Sequence, residues 1–182
     1  MTFEKTVTLK DGRNCLLRNG VTSDGKAVLD VFNRTHEETD YLLTYSDENC
    51  FTASQEADFL QRKTDSANNV EIIAVVDDVV AGTAGIDALG MRDKIKHRAV
   101  FGIAITKEFW GLGIGKSLME ACIECAREAG YLQLELEVVA ENERAVEMYR
   151  RAGFIEYGRN PKAFRLRTGE YQELIDMRLE LK

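Results

Sequence analysis

The chain has 182 residues, 45% of them hydrophobic and 30% charged, which is typical of a globular protein with one hydrophobic core. Its formal net charge is −7 and no run is rich in lysine or arginine, so nucleic acid is disfavoured as a partner. No apolar stretch approaches the length of about 20 residues that a membrane-spanning helix needs, and the start of the chain does not resemble a signal peptide. We therefore expect a single cytoplasmic domain over residues 1–182, without a membrane partner, as a monomer or homodimer.

The four cysteines are expected to be reduced, because no secretory signal precedes them. They are Cys15, Cys50, Cys122 and Cys125. The last two have C-x-x-C spacing, but they lie in a helical pattern and the whole chain has only two histidines. The pattern favours two buried side chains on one helix face, and no metal site is predicted.

The first half of the chain predicts a strand, three helices and a hairpin. The strand and helices cover residues 15–18, 26–34, 35–43 and 55–64. Thr35 followed by Glu38 is typical of a capping box, which places a helix start at Thr35. The hairpin consists of two β-branched segments, residues 71–76 and 79–87, joined by a pair of aspartates.

The second half alternates strands and helices. A strand at residues 99–105 leads into a glycine-rich turn and a helix with an apolar stripe from Ile114 to Ala129. A strand at 134–138, a helix at 143–152 and closing strands at 154–159, 163–167 and 173–181 follow. The fold class indicated is α/β, with a mixed, mostly antiparallel central sheet flanked by helices.

The glycine-rich turn reads W-G-L-G-I-G-K-S and begins at Trp110. Free backbone N–H groups at a helix start attract anions, and glycine allows both close approach and positive φ. Two known phosphate patterns fail here. The nucleotide loop G-x-x-x-x-G-K-S/T requires glycine where Trp110 stands, and the dinucleotide pattern G-x-G-x-x-G would end at Lys116 or Leu118. The turn therefore predicts an anion site of another kind.

The turn resembles the signature Q/R-x-x-G-x-G/A of the GNAT family of N-acetyltransferases, with Trp110 in place of the usual polar residue. A second family signature, an asparagine with a tyrosine seven positions later and then a glycine-aromatic pair, matches Asn142, Tyr149, Gly153 and Phe154. The resemblance covers residues 70–154, with both motifs in the family's order and separation. It implies the GNAT acyl-CoA N-acyltransferase fold and acetyl-CoA as co-substrate.

The resemblance also implies which residues bind the coenzyme. Backbone groups of one strand would hold the pantetheine arm, the glycine turn would hold the pyrophosphate, and Asn142 would be a further contact. The strand residues are Ile103, Ala104 and Ile105. The turn residues are Gly111, Leu112, Gly113, Ile114, Gly115, Lys116 and Ser117.

Acetyl transfer to a primary amine needs a base, because an amine with a pKa of about 10.4 is mostly protonated at neutral pH. The resemblance implies that Tyr149 is the general acid for the departing thiolate. It also implies that Glu137 is the base, since some members carry a glutamate proton acceptor there. Exposure to solvent explains Glu137 equally well, and Asp87 and Glu71 are alternative bases.

The segment between Thr35 and Gln61 has no lysine or arginine, whereas acidic residues occur throughout it. They are Glu37, Glu38, Asp40, Asp47, Glu48, Glu56 and Asp58. In the family this region helps to form the acceptor site, so the resemblance implies an acidic lip for a cationic amine; a solvated helix face explains the charges as well. The implied function is transfer of an acetyl group from acetyl-CoA to a small amine, a polyamine or a peptide amine. The alternative is a non-catalytic acyl-CoA-binding regulatory module, which needs the glycine turn but not Tyr149.

Overall fold

The computed structural model describes residues 1–181 and shows an eight-stranded sheet in the order β1-β2-β3-β4-β5-β6-β8-β7. The strands are β1 Glu4–Thr8, β2 Asn14–Asn19, β3 Val70–Val76, β4 Val79–Ala88, β5 Arg98–Ile105, β6 Gln133–Val139, β7 Ile155–Arg165 and β8 Tyr171–Glu180. The longer helices are α1 Gly25–Glu38, α2 Ala53–Asp65, α3 Ile114–Glu128 and α4 Glu143–Arg151. Only β5 and β6 pair in parallel, so the predicted mixed, mostly antiparallel sheet is confirmed.

Helices cover both faces of the sheet because the central strands are apolar on both sides. On β3, Ile72 belongs to the large core cluster that includes the buried face of α3. Its neighbour Ile73 points to the opposite face, where it packs with Val28 of α1 and Leu60 of α2. A strand that is buried on both faces reads as a continuous apolar run, as EIIAVV does here.

The predicted helix start at Thr35 is wrong, because α1 runs through that position without interruption. The Thr35 hydroxyl is buried and donates to the carbonyl oxygens of Val31 and Phe32, at 2.9 Å each. A hydroxyl bonded within its own helix cannot cap a new one. The capping box is instead at the start of α2, where Thr52 Oγ1 accepts from the Gln55 amide at 3.3 Å and Gln55 Oε1 accepts from the Thr52 amide at 2.8 Å.

The two edges of the sheet also differ from the prediction. The first strand, β1, has no strong apolar signal in its sequence EKTVT and is held by pairing with β2. At the other edge, β7 is one strand where two short ones were predicted, and Pro161 lies inside it. An edge strand tolerates proline because its outer N–H groups have no partner strand. The pairing with β8 is irregular between Asn160 and Phe164, beside that proline.

The cysteines lie as predicted for Cys122 and Cys125, both of which are buried in α3. Burial raises the pKa of the Cys125 thiol to about 12 and that of Cys122 well above its usual value, so both remain protonated thiols at neutral pH.

Within residues 1–181, no group of three or more His, Cys, Asp or Glu side chains is arranged to bind a metal ion. In the same range no helix has the length and apolarity needed to cross a lipid bilayer.

Candidate active site

The sheet opens between β5 and β6. The two strands pair only where Arg98 to Val100 lie opposite Gln133 to Glu135, and beyond Val100 the edge of β5 is unpaired on that side. The Thr106 amide donates to the Ala81 carbonyl at 3.0 Å, and the Leu89 amide donates to the Arg98 carbonyl at the same distance. These bonds show that the even-numbered residues of β5 direct their backbone N–H and C=O groups at β4, whereas the odd-numbered residues direct theirs away from β4.

By that alternation, the backbone N–H and C=O groups of Ile103 and Ile105 face the opening between β5 and β6. Ala104, the third strand residue predicted to bind the coenzyme, lies in register with Thr83 and directs its own backbone groups at β4. The opening therefore displays the N–H and C=O groups of Ile103 and the N–H group of Ile105, which are two of the three predicted residues.

The glycine turn presents a second set of free backbone groups. From Gly111 to Lys116 no N–H group donates to a backbone carbonyl, and the first helical bond of α3 runs from the Ser117 amide to the Gly113 carbonyl at 3.2 Å. Gly111 and Gly113 have φ angles of +87° and +100°, which favour glycine. The positive end of the α3 dipole therefore carries a cradle of amides suited to an anion.

Trp110 connects these two sets of groups. Its indole N–H donates to the Ile105 carbonyl oxygen at 2.7 Å, which ties the turn to the end of β5. The cations of Lys107 and Arg144 lie over its ring, 5.6 and 5.4 Å from the ring centroid. The substitution of the family's usual polar residue thus leaves a hydrogen-bond donor at this position. Arg144 had not been predicted as a site residue, because no sequence pattern indicates its contact with Trp110.

Asn142 and Tyr149 both belong to α4. Asn142 is the N-cap residue, and its Oδ1 accepts from the Ala145 amide at 3.3 Å, while its Nδ2 makes no hydrogen bond within the described chain. Tyr149 is 6% exposed and packs against Phe101 of β5 and against Phe154. The Asn142 amide group therefore remains available to a ligand.

The Tyr149 hydroxyl makes no hydrogen bond to the residues that the structure describes. Its oxygen is not completely enclosed by them, so a small part of its surface stays accessible. Burial raises its pKa above the usual value of about 10, so the hydroxyl carries its proton at neutral pH. The chemistry open to it is proton donation.

The two glutamates of β6 lie on one face of the sheet but in different surroundings. Glu137 is exposed and lies in register with Asp176 of β8. Glu135 is buried, and both of its oxygens accept from the Arg98 guanidinium. Of this pair, only Glu137 is free to meet a substrate.

The alternative carboxylates lie on β3 and β4. Asp87 binds the Lys63 ammonium at 2.5 Å and is otherwise exposed. The Glu71 side chain is only 14% exposed, and burial raises its pKa to about 7, against the attraction of Lys63 at 3.8 Å. Glu71 is thus a carboxylate that titrates near neutral pH.

Three of the acidic residues predicted to form a lip, Glu37, Glu38 and Asp40, differ in their contacts with the rest of the protein. Glu37 and Asp40 are exposed, as a lip requires. Glu38 instead accepts from Arg34 Nε at 3.0 Å and from the Lys107 amide at 2.6 Å. It fastens the end of α1 to the segment that precedes the glycine turn, so it belongs to the framework of the turn.

A cavity of about 210 Å³ lies between the chain that follows α1 and the end of β7. Its lining includes Asp40, Leu42, Tyr45, Phe164 and Arg165. Beside it, Arg167 Nη2 binds Asp47 at 2.7 Å and its guanidinium lies 4.0 Å from the centroid of the Tyr45 ring. This contact joins two segments that are about 120 residues apart in the sequence.

A sequence model of the acetyltransferase (GNAT) family matches residues 30–154, which is more than half of the chain. The chain is 31% identical over 118 residues to the L-amino acid N-acetyltransferase AaaT of Escherichia coli (strain K12), across 64% of this chain and 72% of that protein. It is 30% identical over 111 residues to spermidine N(1)-acetyltransferase of Vibrio cholerae serotype O1, across 60% and 64% of the two.

Among solved structures, an acetyltransferase of the GNAT family from Streptococcus pneumoniae superimposes with a TM-score of 0.87 at 27% identity, covering 91% of this chain and 99% of that one. YncA from Salmonella typhimurium, solved with its cofactor acetyl-CoA, gives a TM-score of 0.82 at 16% identity, covering 93% and 95%. This chain belongs to the GNAT acetyltransferase family, and the predicted enzyme class, an N-acetyltransferase, is confirmed.

Proposed function

We propose that this protein transfers the acetyl group of acetyl-CoA to the primary amine of a small molecule. The observation that carries the proposal is the opening between β5 and β6, whose free backbone groups at Ile103 and Ile105 continue through Trp110 into the amide cradle. A strand edge suits the amide-rich pantetheine arm, and amides at a helix start suit a pyrophosphate. The fit is therefore to coenzyme A along its length.

The residues beside the opening supply the remaining functions. The thioester provides an acetyl carbonyl that a neutral amine attacks. Tyr149, with its free and protonated hydroxyl, donates to the sulfur as the carbon–sulfur bond breaks. The Asn142 Nδ2 group is available to bind the coenzyme. Two carboxylates are candidates for the base: Glu137, which is exposed, and Glu71, whose pKa is about 7.

The cavity beside α1 supports a small acceptor. Its volume of about 210 Å³ suits a side-chain-sized molecule, and Tyr45 on its wall is held by the Arg167 guanidinium, which also binds Asp47. Asp40 and Glu48 on its wall attract an ammonium group, while Arg165 attracts a carboxylate. Amino acids and polyamines, the substrate classes in the names of the two relatives described above, are accordingly the first acceptors to test.

The coenzyme is tested by titration, and the chain supplies its own probe. Trp110 is the only tryptophan, and it lies at the start of the cradle. We expect acetyl-CoA to change its fluorescence and to release heat in a parallel calorimetric titration, whereas ATP and NAD at equal concentration do neither. Binding of ATP in preference to acetyl-CoA would overturn the proposal.

The acceptor is tested by release of free thiol when amines are added to the protein with acetyl-CoA. We expect release to depend on a small primary amine and to produce its N-acetyl derivative, identified by mass. A non-catalytic acyl-CoA-binding module would bind acetyl-CoA without releasing thiol for any amine. If thiol were released faster with peptides than with amino acids or polyamines, the proposal of a small acceptor would be contradicted, but acetyl transfer from acetyl-CoA would not.

A further inference from the structure

Glu71 lies at one end of a row of residues that crosses three strands on the face opposite α3. Glu71 of β3 is in register with Gly85 of β4, and Gly85 is in register with Gly102 of β5. The Glu71 side chain extends over Gly85, since a Cβ atom at Gly85 would lie 2.2 Å from Glu71 Oε2. Only glycine at position 85 allows the carboxylate to reach toward β5.

The other end of the row is open. Gly102 is exposed, and a Cβ atom placed there would meet no other atom within 4 Å. Adjacent strands are about 4.8 Å apart, so the carboxylate above Gly85 is roughly one strand spacing from the space above Gly102. That spacing accommodates one water molecule in hydrogen-bond contact with the carboxylate. The next residue, Ile103, begins the row of backbone groups in the opening.

The titratable groups around Glu71 come from three elements. From α2, Lys63 lies 3.8 Å away and Glu56 is buried nearby; from β4, Asp87 holds Lys63 at 2.5 Å. On the opposite face of the sheet, Cys122 of α3 is a buried neutral thiol. Because Asp87 neutralises much of the Lys63 charge, burial controls the Glu71 carboxyl, and its pKa of about 7 suits a base that works at neutral pH.

We propose that Glu71 is the general base of the transfer and accepts the acceptor's proton through a water molecule above Gly102. This assignment rests on the proposed function and replaces Glu137 as the base. The ammonium gives a proton to the water, which passes its own to Glu71. The freed nitrogen pair forms the carbon–nitrogen bond, the carbon–sulfur bond breaks, and Tyr149 protonates the thiolate. The second proton that leaves the nitrogen restores the Tyr149 hydroxyl through solvent, and Glu71 releases its own proton to solvent. The products are an amide, a thiol and one proton for the solvent.

The test compares Glu71→Gln with the wild type in the rate of thiol release across pH. We expect kcat at pH 7 to fall about 100-fold or more. The rise of kcat/KM with pH near 7 should be replaced by a steady increase toward the pKa of the amine, since more free amine compensates for the missing base. Acetyl-CoA affinity, read from Trp110 fluorescence, should be unchanged.

Two further variants separate the base from its surroundings. Gly102→Val fills the space above β5 and should lower kcat while retaining the pH dependence near 7. Glu56→Gln removes a neighbouring negative charge but no member of the row. It should keep the maximal kcat and move the rise in kcat/KM to lower pH, because Glu71 then ionises more easily.

A Glu71→Gln variant that retains both kcat and the wild-type pH profile would overturn the assignment. So would a Glu137→Gln variant that loses both while Glu71→Gln does not. Thermal unfolding of each variant confirms that the protein is folded during the assays. Failure of the proposed function is distinguishable, because the wild type itself would then neither bind acetyl-CoA nor release thiol.

Discussion

The proposed coenzyme side, at the opening between β5 and β6, and the proposed acceptor side, at the cavity beside α1, are built from different kinds of groups. On the coenzyme side the proposed binding groups are backbone groups at the end of β5 and in the turn that follows it, which begins at Gly111. On the acceptor side the cavity wall combines side chains from residues 39–48 with others from residues 163–166. Recognition of the coenzyme therefore depends on local backbone conformation, whereas recognition of the acceptor depends on contacts between distant segments.

The conformation of the glycine turn gives the largest expected effect on acetyl-CoA binding. Valine at position 113 would need a strained positive φ and would place a side chain above the cradle. We expect Gly113→Val to weaken acetyl-CoA binding about 10- to 100-fold, or about 1.4 to 2.8 kcal/mol. Gly130→Val is the matched control, because Gly130 has a φ of +79° at the other end of α3.

Both glycine variants should unfold at lower temperature, but only Gly113→Val should lose affinity in the Trp110 titration. Equal loss of affinity in both would mean that the stability of α3, and not the cradle, controls binding.

Glu71 has the next largest effect, on stability. Its pKa is about 7 when folded and about 4.5 when unfolded, so the folded state holds the proton more tightly. The contribution of Glu71 to stability is therefore fully present below about pH 4.5 and is lost as pH rises toward 7. We expect Glu71→Gln to be more stable than the wild type at pH 8, by roughly 1 to 3 kcal/mol, and to lose this advantage near pH 4.5.

Urea unfolding at the two pH values measures this difference. A Glu71→Gln variant that is equally destabilised at both would show that the carboxylate makes a favourable contact when ionised, contrary to its position in the row.

The acidic residues near the end of α1 allow the proposed coenzyme side and the proposed acceptor side to be tested separately. Neutralising Glu37 and Asp40 together should raise KM for a cationic amine a few-fold and leave acetyl-CoA affinity unchanged, with a smaller effect at high salt. Glu38→Gln should instead weaken acetyl-CoA binding, because Glu38 holds the Lys107 amide before the glycine turn. Steady-state kinetics with each substrate varied in turn separates the two. Identical effects of the variants would contradict the division.

Arg144 gives the smallest expected effect. A cation over an exposed aromatic ring contributes about 0.5 to 1 kcal/mol, so Arg144→Ala should weaken acetyl-CoA binding about two- to five-fold and alter the fluorescence of Trp110. Arg151→Ala is the control, since Arg151 lies on the same helix and, among residues 1–181, forms an ion pair only with Glu147. Equal effects of both variants would remove Arg144 from the site.

The turn before α3 and the helix α4 could be predicted because their signals are local, while the roles of their residues in coenzyme binding stay predictions. Glycine spacing identified the turn, and the seven-residue separation placed Asn142 and Tyr149 on α4. The row from Glu71 to Gly102 required strand register, which follows from pairing between segments that periodicity alone does not align. The bond between Asp47 and Arg167 could not be predicted either, since exposed charges have many possible partners. The helix start predicted at Thr35 was wrong for a related reason. The Thr35 hydroxyl is buried and donates within α1, and this burial depends on tertiary packing that the local sequence does not reveal.

In the proposed function, the opening between β5 and β6 binds acetyl-CoA for catalysis by Tyr149. The most direct test is Tyr149→Phe, assayed for thiol release with a reactive amine and for acetyl-CoA affinity by Trp110 fluorescence. We predict a fall in kcat of about 100-fold or more with an unchanged Kd, because the ring still packs against Phe101 while the proton donor is lost. Unchanged turnover in Tyr149→Phe would contradict the account.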